Sequence, residues 1–269
     1  MTIGPDLARR TVSALIMIPV VLGVTVWGGV PFVLLWLVAA AAVLYEWSHV
    51  ARLARPFAYL AVGLIAICAA LAALAWGQGA WAVLILLVAA LGGALLCGTR
   101  RASAMGILVA AAACVPAVVL RGDDRIGLVA ILFLYAIVWG TDIGAYFVGR
   151  TLGGPKLWPR LSPNKTWSGA LGGALIGTFA GCALLWAFGL RVGPAPVVLG
   201  LVLSVAGQAG DLAESAFKRA FGVKDAGRLI PGHGGVLDRL DGFTAAVLVA
   251  VAVGLLRGLD APAAGLLLW

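Results

Sequence analysis

Asp211, Glu214 and Lys218 are spaced i, i+3, i+7, with Ser215 beside them. On a helix that spacing puts two acids and a base on one face. The stretch that follows, KDAGRLIPGHGGVLDRLDG from Lys224 to Gly242, holds Lys224, Asp225, Arg228, His233, Asp238, Arg239 and Asp241. Asp238 and Asp241 are again three apart. Several carboxylates without a pairing His or Cys favour a hard cation such as Mg²⁺. Mg²⁺ typically takes one or two carboxylates and leaves room for water and a substrate phosphate. Lys165, Lys218, Arg219, Lys224, Arg228 and Arg239 accompany these acids. Basic groups beside metal-binding acids point to an anionic, polyphosphate substrate. Gly234 and Gly235 end the run PGHGG at 231–235, which can turn successive backbone N–H groups toward a phosphate. By itself PGHGG is a turn; the charges around it make it a candidate phosphate loop. The familiar nucleotide signatures are missing. GRTLGGPK at 149–156 has Pro155 where a P-loop needs lysine.

These polar groups are set in an apolar chain. Of 269 residues, 63% are hydrophobic and 11% charged, against about 25% charged in an ordinary soluble domain. Runs of this length read as transmembrane helices. They are continuously apolar, not alternating, which excludes a barrel. The expected fold is an all-α polytopic membrane protein of about nine spans, near 12–28, 30–46, 57–76, 79–97, 104–120, 127–148, 167–190, 194–214 and 243–259. Residues 1–126 form an N-terminal set of about five helices. Residues 127–269 form a catalytic membrane region with cytoplasmic loops at 149–166 and 215–242. Long connections in compact proteins are usually functional or disordered, and these are too varied in composition for disorder.

With the N-terminus cytoplasmic and the C-terminus outside, only Arg121, Arg125, Arg191 and Arg257 of the 19 Lys and Arg fall outside. That asymmetry follows the positive-inside rule and accounts for the net charge of +8 without nucleic acid as a partner. Arg9-Arg10 resembles a twin-arginine export signal, but further apolar runs follow, so it reads as a basic anchor before a first span. Cys68, Cys97, Cys114 and Cys182 lie in or beside apolar runs and form no CxxC, so they read as small buried hydrophobes. Gly169, Gly173, Gly177 and Gly181 recur every fourth residue, a face that another helix can approach closely, from the same bundle or from a second subunit.

Asp142, Asp211 and Glu214 fall inside expected spans. Acids there are functional candidates by default. Asp142 precedes Arg150 by about 12 Å of helix and Asp211 precedes Lys218 by about 10 Å. Both are therefore shallow and open to the side of the long loops. A competing reading is an ion-coupled membrane transporter using Asp142, Asp211 and Glu214. Transporters favour midplane acids, broken helices and internal repeats, whereas here the polar residues concentrate in the loops.

Ser215 to Asp241, with Lys218-Arg219, Lys224-Asp225, Gly227, Ile230-Pro231-Gly232-His233-Gly234-Gly235, Asp238-Arg239 and Asp241, closely resembles the signature of the phosphatidate cytidylyltransferases, or CDP-diacylglycerol synthases. Thr141 to Arg150 and Leu161 to Gly169 resemble the same family, so the likeness covers the C-terminal half. Asn164 and Ser168 depart from its commoner pattern and are left out of the expected site, which leans there on Ser162 and Lys165. The resemblance implies transfer of a cytidylyl group from CTP to phosphatidic acid, in phospholipid biosynthesis. It also implies Mg²⁺ with a monovalent K⁺, and a homodimer in the cytoplasmic (inner) membrane. Carried over, Asp211 and Asp238 hold the cations, supported by Asp142, Glu214 and Asp241. Lys218, Lys224 and His233 join the two aspartates in catalysis. Ser162, Lys165, Thr166, Arg219, Asp225, Gly234, Gly235 and Arg239 contact substrate, although a salt bridge to a neighbouring base would equally explain Asp225.

Overall fold

A bilayer core offers backbone groups no partners, so an apolar run within it must satisfy its own N–H and C=O groups as a helix. The computed structural model follows that rule and describes residues 5–97, 100–230, 232, 234–258 and 260–269. The elements are α1 (Pro5–Trp27), α2 (Gly29–Val50), α3 (Pro56–Ala75), α4 (Gly79–Leu96), α5 (Arg100–Arg121), α6 (Arg125–Leu152), β1 (Lys156–Trp158), β2 (Ser162–Thr166), α7 (Trp167–Ala187), α8 (Pro194–Ala220), α9 (Leu237–Arg257) and α10 (Pro262–Leu267). Among the described residues, α2 to α9 supply eight helices long and apolar enough to cross a membrane, and α1 adds the shorter apolar stretch Ser13–Trp27. Leu91, Phe179 and Leu256 are 61%, 76% and 87% exposed. Large apolar groups so open to the surroundings suit lipid as solvent. The protein is a multi-pass membrane protein.

The chain packs as two compact units: Met1–Val118 with Ala220–Leu240, and Val119–Arg219 with Asp241–Trp269. In the first, α2 buries Phe32, Trp36, Val43, Leu44 and Trp47. Polar tips of aromatic groups on α2 and α3 reach the backbone of α5: Trp47 Nε1 donates to Ala102 O at 2.7 Å and Tyr59 Oη to Ser103 O at 3.0 Å. Gly106 leaves room for both rings, since a Cβ there would overlap them. In the second unit, α6 buries Val129 to Ile131, Phe133 to Tyr135, and Ile137 with Val138. Its N-cap is Asp124, which accepts from Gly127 N at 2.6 Å.

The four-residue glycine repeat meets α6 of the same chain. A Cβ on Gly173 would come within 2.6 Å of Thr141 O, and one on Gly140 within 3.0 Å of Gly177 Cα. Between the two readings of that glycine face, the bundle's own α6 is the neighbour.

Three boundaries differ from the sequence expectation. The 149–166 segment is not all loop: α6 runs on to Leu152, and β1 and β2 pair as an antiparallel hairpin, with Lys156 opposite Thr166 and Trp158 opposite Ser162. The 215–242 segment is shorter as a loop, because α8 extends to Ala220 and α9 starts at Leu237. Hydropathy marks where lipid ends, but helical hydrogen bonds continue beyond it. Lys218 and Arg219 in the last turn of α8 also complement its C-terminal dipole. Finally, the tail folds back as α10. Arg257 donates to Gly265 O and to Leu268 O at 3.0 Å, and its guanidinium lies 3.5 Å from the centre of the Trp269 ring.

Candidate active site

In the unit of 119–219 and 241–269, charged side chains gather around the C-terminal part of α8. Lys165, on β2, forms an ion pair with Asp211. One turn on, Lys218 pairs with Glu214 at 2.5 Å. Asp241 lies within electrostatic reach of Asp211, Asp142 and Lys218. Four carboxylates and two ammonium groups are thus linked pairwise, an acid-rich set of hard oxygen donors. Glycines permit this density. Gly207 and Gly242 face each other, and a Cβ on Gly210 would come within 2.6 Å of Asp241 O. So α8 and α9 approach closely where Asp211 and Asp241 emerge. Beneath them Thr141 and Ser204 share a hydrogen bond of 2.7 Å. They line a small pocket with Val138, Asp142, Gly207, Gln208 and Gly242.

The hairpin's geometry explains how Lys165 is held. The next residue, Thr166, is the N-cap of α7 and accepts from Gly169 N at 3.1 Å. Its neighbour Ser168 donates to Gly153 O, tying the base of the hairpin to the end of α6. Thr166 is 6% exposed. Besides this cap it shares a hydrogen bond with Ser168 Oγ at 3.0 Å. Ser162 opens β2 and is partly buried opposite Trp158. Arg219 is exposed at the end of α8.

In the unit of 1–118 and 220–240, the expected loop residues surround the start of α9. Asp238 accepts from Ala226 N at 3.0 Å and Gly235 N at 2.9 Å. Gly234 O accepts from Ile230 N at 2.9 Å, an isolated bridge that closes the turn. Gly234 sits at φ 88°, where a side chain would be strained. Lys224, Asp225, Arg228 and Arg239 are exposed. His233 and Pro231 lie outside the described residues.

One residue in this unit escaped the sequence reading. Glu46, on α2, is 1% exposed and accepts from Val236 N at 3.0 Å and Leu237 N at 2.9 Å. The signal was an acid in the apolar run LYEWSHV. It coincides with the expected end of the second span, and no spacing ties it to a segment 190 residues away.

The donor chemistry fits a hard cation. Among the described residues no three of His, Cys, Asp or Glu are grouped tightly enough to hold an ion alone. A divalent ion on one or two of these carboxylates, with water and phosphate completing its shell, needs no such trio.

The model of the Cytidylyltransferase family matches residues 8–256 of this chain. The chain is 41% identical over 254 residues to the phosphatidate cytidylyltransferase of Brucella suis biovar 1 (strain 1330), covering 93% of each. The same identity and coverage relate it to the phosphatidate cytidylyltransferase of Brucella melitensis biotype 1. It is 51% identical over 121 residues to that of Staphylococcus aureus (strain COL), covering 44% of this chain and 45% of that protein.

Proposed function

The chain belongs to the cytidylyltransferase family, and from that membership we infer that it transfers the cytidylyl group of CTP to phosphatidic acid, giving CDP-diacylglycerol and pyrophosphate. The observation that carries the reading is the match along 93% of the chain to phosphatidate cytidylyltransferases. The acid-rich cluster of Asp142, Asp211, Glu214 and Asp241 with Lys165 and Lys218 is its chemical counterpart.

In the reaction a phosphate oxygen of phosphatidic acid attacks the α-phosphorus of CTP. A new P–O bond forms, and the bond from α-phosphorus to the bridging oxygen breaks, its electron pair leaving with pyrophosphate. A phosphate monoester has its second pKa near 6, so the nucleophile is largely dianionic at neutral pH and needs no strong base. The difficulty is bringing two polyanions together. Lys165, Lys218, Arg219, Lys224 and Arg239 would bind their phosphates. Asp211 and Asp238 would hold the cations, Mg²⁺ with K⁺, and Asp142, Glu214 and Asp241 would support them. Bound Mg²⁺ supplies charge neutralisation for the leaving pyrophosphate. Ser162, Asp225, Gly234 and Gly235 would line the substrate side, Thr166 would fix the hairpin, and His233 would contact a phosphate.

The setting suits both substrates. Phosphatidic acid keeps its tails in lipid and its headgroup at the surface, where CTP arrives from the cytoplasm. We place the protein in the cytoplasmic membrane as a homodimer. The purified protein in mixed micelles with CTP, phosphatidic acid and Mg²⁺ should form CDP-diacylglycerol. Absence of product across a range of salt and lipid would overturn the reading.

A further inference from the structure

We propose that Glu46 is a positioning residue: it fixes the loop before α9 and, through it, the carboxylate of Asp238. The functional importance of Asp238 rests on the reading above; the geometry around Glu46 does not.

The side chain of Glu46 is almost wholly buried, at 1% exposure. Among the described residues no Lys or Arg lies within ion-pair distance of it. Burying a carboxylate without a cation is costly unless hydrogen bonds compensate. Here they come from the start of α9. One oxygen takes Val236 N–H at 3.0 Å and the other takes Leu237 N–H at 2.9 Å. These amides are orphan donors of the helix, and the positive end of its dipole favours an anion there. Helix α9 thus receives a cap from a residue of α2.

Asp238 takes the neighbouring amides, Ala226 N and Gly235 N. Four backbone donors of one loop are therefore divided between two carboxylates within electrostatic reach of each other. The loop closes on them without side chains. A Cβ on Gly235 would come within 2.6 Å of Glu46 Oε2 and 2.9 Å of Asp238 Oδ2, and one on Gly227 would overlap the Glu46 carboxylate. Glu46 itself stands on a rigid post, since Val43, Trp47 and Val50 beside it are buried. A shift of Glu46 must move Val236 and Leu237. They carry Gly235 and Asp238 with them.

The test compares Glu46→Gln with Leu44→Ala, a packing change on the same helix. Gln keeps the shape but turns an NH₂ toward one of the two amides, so one hydrogen bond is lost. Expected for Glu46→Gln is a kcat about 10- to 100-fold lower, the scale of an ångström-level misplacement. The Mg²⁺ concentration for half-maximal rate should rise several-fold, and raised Mg²⁺ should partly restore the rate. Leu44→Ala should lower the unfolding midpoint while leaving the Mg²⁺ midpoint unchanged. Hydrogen exchange, read without substrate, should quicken in 226–238 for Glu46→Gln and stay unchanged in α6 and α7. Wild-type exchange and Mg²⁺ midpoint in Glu46→Gln would overturn the proposal, as would changes matched by Leu44→Ala. If Glu46→Gln does not fold, Gly235→Ala presses on both carboxylates from the loop side and should reproduce both shifts; wild-type behaviour there would overturn it equally. Should the wild-type protein form no CDP-diacylglycerol, the functional reading fails while exchange still decides the role of Glu46.

Discussion

The two lysine–carboxylate pairs in the second unit are alike in chemistry and unlike in setting, which separates function from stability. In the Lys165–Asp211 pair the side chains are 28% and 35% exposed. A pair so open to solvent contributes at most about 1 kcal/mol. Lys165→Met should therefore barely move the unfolding midpoint, yet lower kcat by about 10²-fold or more, the scale for losing one preorganised electrostatic partner of a transition state. Asp211→Asn and Asp238→Asn should each abolish turnover while leaving a folded protein; a near wild-type rate in either would refute the cation assignment. In the Glu214–Lys218 pair the side chains are 6% and 13% exposed. Removing one partner of a buried pair takes away much of the compensation for the other's charge, at a cost of about 3 kcal/mol. Glu214→Ala should thus lower the apparent unfolding midpoint in detergent, at fixed heating rate, well beyond Lys165→Met. If Lys165→Met is the more damaging to stability, the exposed pair is structural and its catalytic role falls.

Elements in this protein meet through what side chains leave out. Helix α7 presents Gly173 and Gly177 to α6 and turns Leu175 and Phe179, 65% and 76% exposed, outward. Gly173→Leu should destabilise by about 1–3 kcal/mol or more through overpacking against Thr141. Leu175→Ala should change the midpoint little, because that side chain meets lipid or detergent. The hairpin depends on the cap of α7 in the same way. Thr166→Ala should cost about 1 kcal/mol of stability and lower kcat as well, since Lys165 is the preceding residue of β2. Glycine repeats of this kind are visible in sequence, but their partner is not: a flat helix face fits any other close-packing helix. The hairpin was illegible for a different reason. Lys156–Trp158 and Ser162–Thr166 are short and carry Pro163, and pairing between them makes their strand character, not their composition.

At the scale of the molecule, membrane topology and metal dependence follow from charge. With native cysteines replaced, Arg160→Cys should react with an impermeant thiol reagent from the cytoplasmic side and Arg191→Cys from the outside; the reverse would invert the orientation expected from the loops. Chelation of divalent ions should remove activity, and Mg²⁺ should restore it, without loss of helix content by circular dichroism. Retained activity after thorough chelation would set aside a metal role for the carboxylates.

Composition alone determined that this chain lives in lipid, because 63% hydrophobic residues in long uninterrupted runs admit no other solvent. The spacing of Asp211, Glu214 and Lys218 fixed one face of α8, since helical period follows from local hydrogen bonding. The run from Ser215 to Asp241 carried the family resemblance because its polar residues lie close together in sequence. What lay beyond sequence was every partnership between distant segments. Nothing local tells Asp211 that Lys165 of a hairpin will neutralise it, or that Gly210 lets α9 approach. Glu46 is the sharpest case. In its own helix it is an acid at the edge of an apolar run, and only tertiary structure sets it against the open end of α9. There the unsatisfied amides of one helix meet the buried charge of another, an exchange that no local pattern encodes.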